Sequence, residues 1–296
     1  MHTPVLLKEV IDGLHPHNGE TVFDATLGLG GHARALCELI GPTGFLVGTD
    51  LDENILSKTK EDLKDVSCRL CFQNFNFRNL ETALEACDIK SVDVILFDLG
   101  WNMLQVEQSG RGFSFLKKEP LLMTFRAHPK EEDLTAYEIV NYWEEKQIEK
   151  ILKEYGEERF ARKITEAIIT ARARKPIGYA DELAGIVRDA IPKRFQNNRV
   201  HPATKTFQAL RIAVNDELNA LTDALHKGFI HLNKGGRIGV ISFHSLEDRI
   251  VKHFFKLHEK ANELIILTKK PITPTAEEIQ KNRRSRSAKL RIAQKT

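Results

Sequence analysis

The sequence predicts an α/β fold: an open, mostly parallel sheet with helices on both faces, interrupted by an inserted all-helical domain. Three observations predict it. Short apolar runs alternate with helical patterns over residues 21–98. A glycine-rich turn follows the first of those runs. A charged, helically periodic stretch then separates these elements from a second set near the C-terminus.

The strand candidates are 21–24, 44–50, 68–72 and 92–98, and most of them end at polar residues or glycine. Helical patterns lie between them at 31–40, 53–64 and 79–87. Parallel neighbours need a long crossover, which a helix supplies, so this alternation argues for a parallel sheet covered on both sides. Residues 106–203 have a different texture. Ile139, Tyr142, Trp143, Ile148, Ile151 and Leu152 approximate an i, i+3, i+4 stripe, and 162–173 and 179–190 read as further helices. This stretch is expected to be an inserted helical substrate-binding domain, with 1–105 and 204–296 forming the core. The second set comprises a long amphipathic helix at 205–225, a glycine turn into a buried strand at 235–243, a helix at 246–256, and strands at 263–268 and 288–293.

Composition sets the outer limits. The 296 residues are 42% hydrophobic and 29% charged, which fits a globular domain and excludes disordered, collagenous and coiled-coil classes. The core is large enough to need no disulfide or metal staple. No window approaches the roughly 18 to 20 apolar residues that span a bilayer. Met1-His2-Thr3-Pro4 opens no secretory signal, so no membrane partner is expected and the cytosol is the expected compartment.

The net charge of +3 is unevenly spread. Lys281, Arg283, Arg284, Arg286, Lys289, Arg291 and Lys295 crowd the C-terminus without an acid between them. A second basic run covers 159–175. Two such patches suggest a polyanionic partner. Among the four cysteines, Cys68 and Cys71 form a C-x-x-C. On a strand their odd separation puts them on opposite faces, and no second pair completes a tetrahedral site. No metal or redox role is expected.

The strongest local signal is Asp24-Ala-Thr-Leu-Gly-Leu-Gly-Gly-His32: a strand end, a glycine turn and a helix start. Glycine lets a ligand approach the backbone, and a helix start offers free N–H groups. The spacing G-x-G-G lacks the third glycine of the dinucleotide fingerprint, which favours an adenosyl ligand without a pyrophosphate. Asp50 ends the second strand, where a carboxylate can accept hydrogen bonds from ribose hydroxyls. Phe77 follows the third strand as an apolar contact for the base, with plain core packing as its other reading. The fourth strand ends in Asp98-Leu-Gly-Trp101, which places a carboxylate and an aromatic at the same mouth. The joint pattern predicts a site for S-adenosylmethionine (SAM).

Asp98-Leu-Gly-Trp101 also resembles the Asp-Pro-Pro-Tyr motif of amino-group methyltransferases. An acceptor for the N–H of an exocyclic amine localises its lone pair, and an aromatic stacks on an extruded base. Asp98 and Trp101 are the catalytic candidates; packing under the insertion is the other reading of Trp101.

The segments Asp24–His32, Arg111-Gly-Phe-Ser-Phe115, Tyr155-Gly-Glu-Glu-Arg159, 201–218, 241–251 and 284–292 resemble the small-subunit ribosomal RNA cytosine-N4 methyltransferases (RsmH, also called MraW), with the match running from His2 to the C-terminus. The resemblance implies a class I SAM-dependent methyltransferase (Rossmann-like) core with an inserted helical domain. It implies methylation of N4 of one cytidine in the decoding region of 16S rRNA, on the small ribosomal subunit. Carried over by motif, the cofactor contacts are Gly30, Gly31, His32, Asp50, Phe77, Asp98 and Gln105. No metal is assigned, and a homodimer is left open. Two departures stand out. Trp101, Asn102 and Met103 replace the family's Val-Ser-Ser, and Pro120-Leu-Leu-Met-Thr-Phe125 replaces Pro-Leu-Asp-Met-Arg-Met. They motivate an alternative, a catalytically weakened ribosome-assembly factor that keeps the SAM-binding fold. A nicotinamide-dependent oxidoreductase is disfavoured by the missing glycine and by the lack of a hydride-relay His or Tyr. His201, Lys205 and Arg211 are candidates to face a phosphate or base, against simple helix packing. Ser245 with Asp248 is the expected helix cap after the strand that ends near His244.

Overall fold

The computed structural model describes residues 4–100, 109–196 and 201–296. Its sheet has seven strands: β1 (Thr21–Asp24), β2 (Phe45–Thr49), β3 (Arg69–Gln73), β4 (Val92–Asp98), β5 (Leu232–Ser242), β6 (Leu264–Ile266) and β7 (Lys289–Lys295). Their order is β3-β2-β1-β4-β5-β7-β6. The pairs β1–β2, β2–β3, β1–β4 and β4–β5 are parallel, while β7 runs antiparallel to both β5 and β6. The chain steps outward from β1 to β3 and then returns to β4 on the other side. That reversal places the topological switch point, where open α/β sheets bind ligands, between β1 and β4.

Both sheet faces are buried, so the strands read as nearly continuous apolar runs. In β4, Val94 and Leu96 pack on one face while Val92, Ile95 and Phe97 pack on the other. The first face is covered by α1 (Leu7–Leu14) and α2 (Gly31–Ile40), through Val10, Leu14, Leu36 and Ile40. The second is covered by α4 (Leu80–Ala86), α10 (Glu217–His231) and α11 (Ser245–Lys260), through Leu84, Leu225, Val251 and Phe255. Helix α3 (Glu53–Asp62) follows β2 and is capped by Asp52, whose side chain accepts from the N–H groups of Asn54 and Ile55. A short helix, α12 (Ala276–Lys281), precedes β7.

The chain divides into two compact units, 1–100 with 218–296, and 101–217. In the second, α5 (Ala136–Tyr142), α6 (Glu145–Glu154), α7 (Ala161–Arg172), α8 (Ala180–Ala190) and α9 (Thr204–Asn215) pack around Ile139, Ile148, Ile164, Leu183 and Leu210. Helix α9 therefore belongs to the helical unit, where Phe207, Ala209 and Leu210 join its core, and the boundary falls after Glu217 rather than at 203. The expected single helix over 205–225 is two helices. Asp216 takes the left-handed conformation (φ 48°, ψ 41°) and closes α9 by donating its N–H to Ile212 O.

Arg111-Gly-Phe-Ser-Phe115 earns its spelling inside this unit. Gly112 has φ +77°, and a Cβ there would lie 2.4 Å from the carbonyl oxygen of Pro120. Arg111 donates to Phe125 O at 2.7 Å, and Asn215 holds the same segment through Met123 O and the Phe125 N–H. The departing residues Leu122 and Thr124 thus sit on a backbone fixed from both sides.

The cysteines are a correction. All four are paired, Cys37 with Cys68 and Cys71 with Cys87. Cys37 and Cys68 lie in the apolar layer of α1 and α2, while Cys87 packs against the layer of α4, so the pairs do occupy opposite sheet faces. No described helix is long and apolar enough to cross a membrane.

Candidate functional site

The site builds up from the carboxyl ends of β1, β2 and β4. Asp24 is fully buried at the tip of β1, and one of its oxygens accepts the Thr26 N–H at 3.1 Å. Thr26 in turn uses its hydroxyl to accept the Asp98 N–H at 2.6 Å, which ties the β4 tip to the β1 turn. Asp50 follows β2; its carboxylate accepts the N–H groups of Gly28 at 3.0 Å and Asp52 at 2.8 Å. His32 lies in the first turn of α2, buried, with Nε2 3.6 Å from Asp98 Oδ2. Among the described residues no side chain caps α2, whose N-cap Gly30 is left-handed (φ 72°).

The glycines divide by reason. A Cβ on Gly30 would meet Thr59 Cγ2 at 2.7 Å, and one on Gly31 would meet Pro4 Cγ at 2.4 Å, so protein packing alone demands both. Gly28, also left-handed, would place a Cβ no closer than 3.7 Å to any neighbour, which leaves its outer side clear.

Burial makes ionisation costly for two of the three carboxylates at this sheet edge. Burial pushes the Asp24 carboxyl up to about 6; His32 and the Thr26 N–H pull against it, while Asp98 and Asp50 add to it. Burial likewise pushes Asp50 up to about 6, against the N–H groups of Asp52 and Gly28. Asp24 Oδ2, Asp98 Oδ1 and both His32 ring nitrogens are buried without a hydrogen-bond partner among the described residues. Orphaned polar atoms are rare in folded interiors, and a cluster of them marks a place for a polar ligand.

The structure therefore brings Asp24, Asp50, Asp98 and His32 to one strand edge, with Gly30 and Gly31 beside them. Phe77 lies just past β3, half-buried, with its ring edge-on to Phe97 at 5.9 Å and packed on the core. Trp101 and Gln105 fall outside the described residues.

A model of the MraW methylase family matches residues 1–296. The chain belongs to the MraW methylase family. A relative from Persephonella marina is 45% identical over 294 residues, covering 99% of each chain. One from Dictyoglomus thermophilum is 43% identical over 296 residues, covering 100% of this chain and 97% of its own. Both carry the name ribosomal RNA small subunit methyltransferase H. A solved Clostridium thermocellum protein, provisionally described as an rRNA methylase, covers 100% of both chains with TM-score 0.50 at 14% identity. That likeness speaks for the fold alone: a seven-stranded α/β sheet with helices on both faces.

Several residues of this methylase that looked free in the sequence have structural partners. Arg291 is buried and forms a fork with Asp248 at 2.7 and 3.2 Å. Lys289 adds a third contact at 3.5 Å; burial opposes ionisation of Asp248, but these cations hold it below its ordinary range. Lys295 donates to Phe229 O and Leu232 O, and Lys281 pairs with Glu277. Of the C-terminal basic run, Lys281, Arg283, Arg284 and Arg286 remain exposed. The cap of α11 is His244, not Ser245, with Glu247 rather than Asp248 completing the box. Arg211 is buried in a two-pronged pair with Glu217 at 2.8 and 2.9 Å, Lys205 donates to Glu157 O, and His201 stacks on Phe115 at 4.5 Å. Of these three, Arg211 is committed to an internal pair, while Lys205 remains exposed.

Asp24 was not among the site candidates, although it opens the glycine motif; only its burial reveals its electrostatic role. A carboxyl whose folded pKa exceeds its unfolded value costs stability once both states ionise. That cost is absent below the ordinary value of 3.8, grows as pH rises, and is complete above about 6. A shift of about 2 units corresponds to roughly 3 kcal/mol. Urea unfolding of Asp24→Asn beside the native protein should show their stability difference moving by about that amount, in the variant's favour, from pH 4 to pH 7.5. A flat difference over that range would contradict the assignment.

Proposed function

We propose that this methylase transfers the methyl group of SAM to the exocyclic N4 of a cytidine in the decoding region of 16S rRNA, acting on the small ribosomal subunit in the cytoplasm. The observation that carries the rRNA reading is full-length similarity at 43–45% identity to proteins named for methylation of small-subunit rRNA. The N4-cytidine assignment rests on the resemblance around Asp98-Leu-Gly-Trp101.

The residues present fit the donor. A ligand with a sulfonium, an ammonium and a ribose needs anionic and accepting groups, and three carboxylates supply them at adjacent or near-adjacent strand tips. Asp50 keeps lone pairs beyond the two it uses for Gly28 and Asp52, so ribose hydroxyls can donate to it. Gly30, Gly31 and His32 line the first turn, Phe77 meets the base, and Gln105 completes the set. When bound, the donor supplies an electrophilic methyl: the N4 lone pair forms the new C–N bond as the C–S pair returns to sulfur. Asp98 Oδ1, without a hydrogen-bond partner among the described residues, accepts the N4–H, localises the amine lone pair and receives the proton released after transfer. His32 Nε2 faces the other Asp98 oxygen at 3.6 Å. Trp101 stacks on the extruded cytosine. Rate enhancement then comes mainly from positioning.

Mass spectrometry of rRNA nucleosides tests this. Small subunits from a strain lacking the modification, incubated with protein and SAM, should gain N4-methylcytidine. Subunits that bind the protein yet gain no methylated cytidine would replace this reading with the assembly-factor alternative.

A further inference from the structure

Within the helical unit, the Tyr155-Gly-Glu-Glu-Arg159 motif has no part in the site described above. Arg159 is exposed, and its guanidinium carbon lies 4.9 Å from the ring centroid of Phe195 and 5.6 Å from that of Phe160. Arg194 lies 4.9 Å from the same Phe195 ring. The two rings are 5.3 Å apart and tilted by 47°. Phe195 ends a single tight turn, Lys193–Phe195, pinned by its N–H to Pro192 O at 2.8 Å, and remains 40% exposed.

The surrounding cations behave differently. Arg162 pairs with Glu166, Arg188 with Asp189, and Arg172 donates to Val140 O. Arg159 and Arg194 have no carboxylate partner among the described residues; their contacts are aromatic rings. A partly exposed phenyl ring carrying two guanidinium groups, neither paired with a carboxylate among the described residues, offers flat cationic surface for stacking and positive charge for phosphate. Single-stranded RNA presents those two features together, whereas in a duplex the base faces are covered.

We propose that Phe195, with Arg159 and Arg194, is a stacking platform for an unpaired nucleotide of the RNA substrate. The proposal rests on the rRNA reading above. The base lies on the ring or on a guanidinium plane beside it, and the neighbouring phosphates meet Arg194 and the exposed Lys193.

Fluorescence anisotropy with a short labelled single-stranded RNA of mixed sequence, and with the same strand in a duplex, tests the platform. Phe195→Ala and Phe195→Leu should weaken single-strand binding about 5- to 100-fold. Phe195→Trp should bind at least as tightly as the native protein, and duplex binding should change little in all three. Arg194→Gln should reduce the slope of log affinity against log salt by about one. Thermal unfolding checks that each variant is folded; if Phe195→Ala is not, the Leu and Trp pair decides. Native affinity in Phe195→Leu, with or without a lowered Tm, would overturn the platform and leave a purely structural cluster. Native protein that methylates small subunits while Phe195→Leu binds RNA normally would sink the platform alone. Native protein that neither methylates nor binds RNA would sink both readings.

Discussion

Replacing Asp98 by alanine is expected to slow methyl transfer to small subunits by about 100- to 1,000-fold at saturating SAM, the scale seen when one well-placed catalytic polar group is removed. The reasoning follows the atoms. The backbone of Asp98 is held by its own N–H to the Thr26 hydroxyl and by strand pairing with β5, neither of which uses the carboxylate. The side chain is therefore removable without dismantling the β4 tip. Its loss takes away the acceptor for the amine N–H and leaves His32 without the anion it faces at 3.6 Å. Asp98→Asn keeps an acceptor oxygen but no charge, and should fall between the native protein and alanine. Single-turnover measurement of N4-methylcytidine checks this, and a near-native rate for Asp98→Ala at saturating donor would remove Asp98 from the mechanism.

The largest stability effect is expected in the helical unit. Arg211 and Glu217 are both buried, and the guanidinium meets the carboxylate with two hydrogen bonds of 2.8 and 2.9 Å across the Asp216 turn. Removing one partner strands a charge in a poorly solvated place. Arg211→Met should destabilise the unit by about 3–5 kcal/mol. The double replacement Arg211→Met with Glu217→Leu should recover most of that loss, because no orphaned charge remains. Urea unfolding of the single and double variants reads both numbers. A double variant as unstable as the single one would show that the stranded charge is not the source of the loss.

The parallel half of the fold was legible because its signals are local. Each early strand is short, apolar and ends at a polar or glycine residue, and the β1 turn carries the densest glycine motif in the chain. What escaped was whatever depends on a partner distant in sequence. Lys289, Arg291 and Lys295 look like a basic surface when read in order, but Asp248 and the carbonyls at the end of α10 take up their charge and donors. Cys37 and Cys87 find Cys68 and Cys71 only once α2 and α4 lie on opposite sides of β3. The break at Asp216 hid inside an unbroken amphipathic pattern, since a single left-handed residue leaves the apolar spacing almost intact. Asp50 and Asp98 had a sequence signal, but the raised pKa of Asp24 and Asp50 comes mainly from burial that spacing does not encode.

Calorimetric titration of the folded protein with SAM tests most directly whether the tips of β1, β2 and β4 hold the donor. One-site binding is expected at pH 8. Affinity should fall about tenfold for each carboxyl that must lose its proton per pH unit below 6, and Asp50→Ala should lose most of the heat. No heat at pH 8, or an Asp50→Ala protein that binds SAM as the native chain does, would contradict the account.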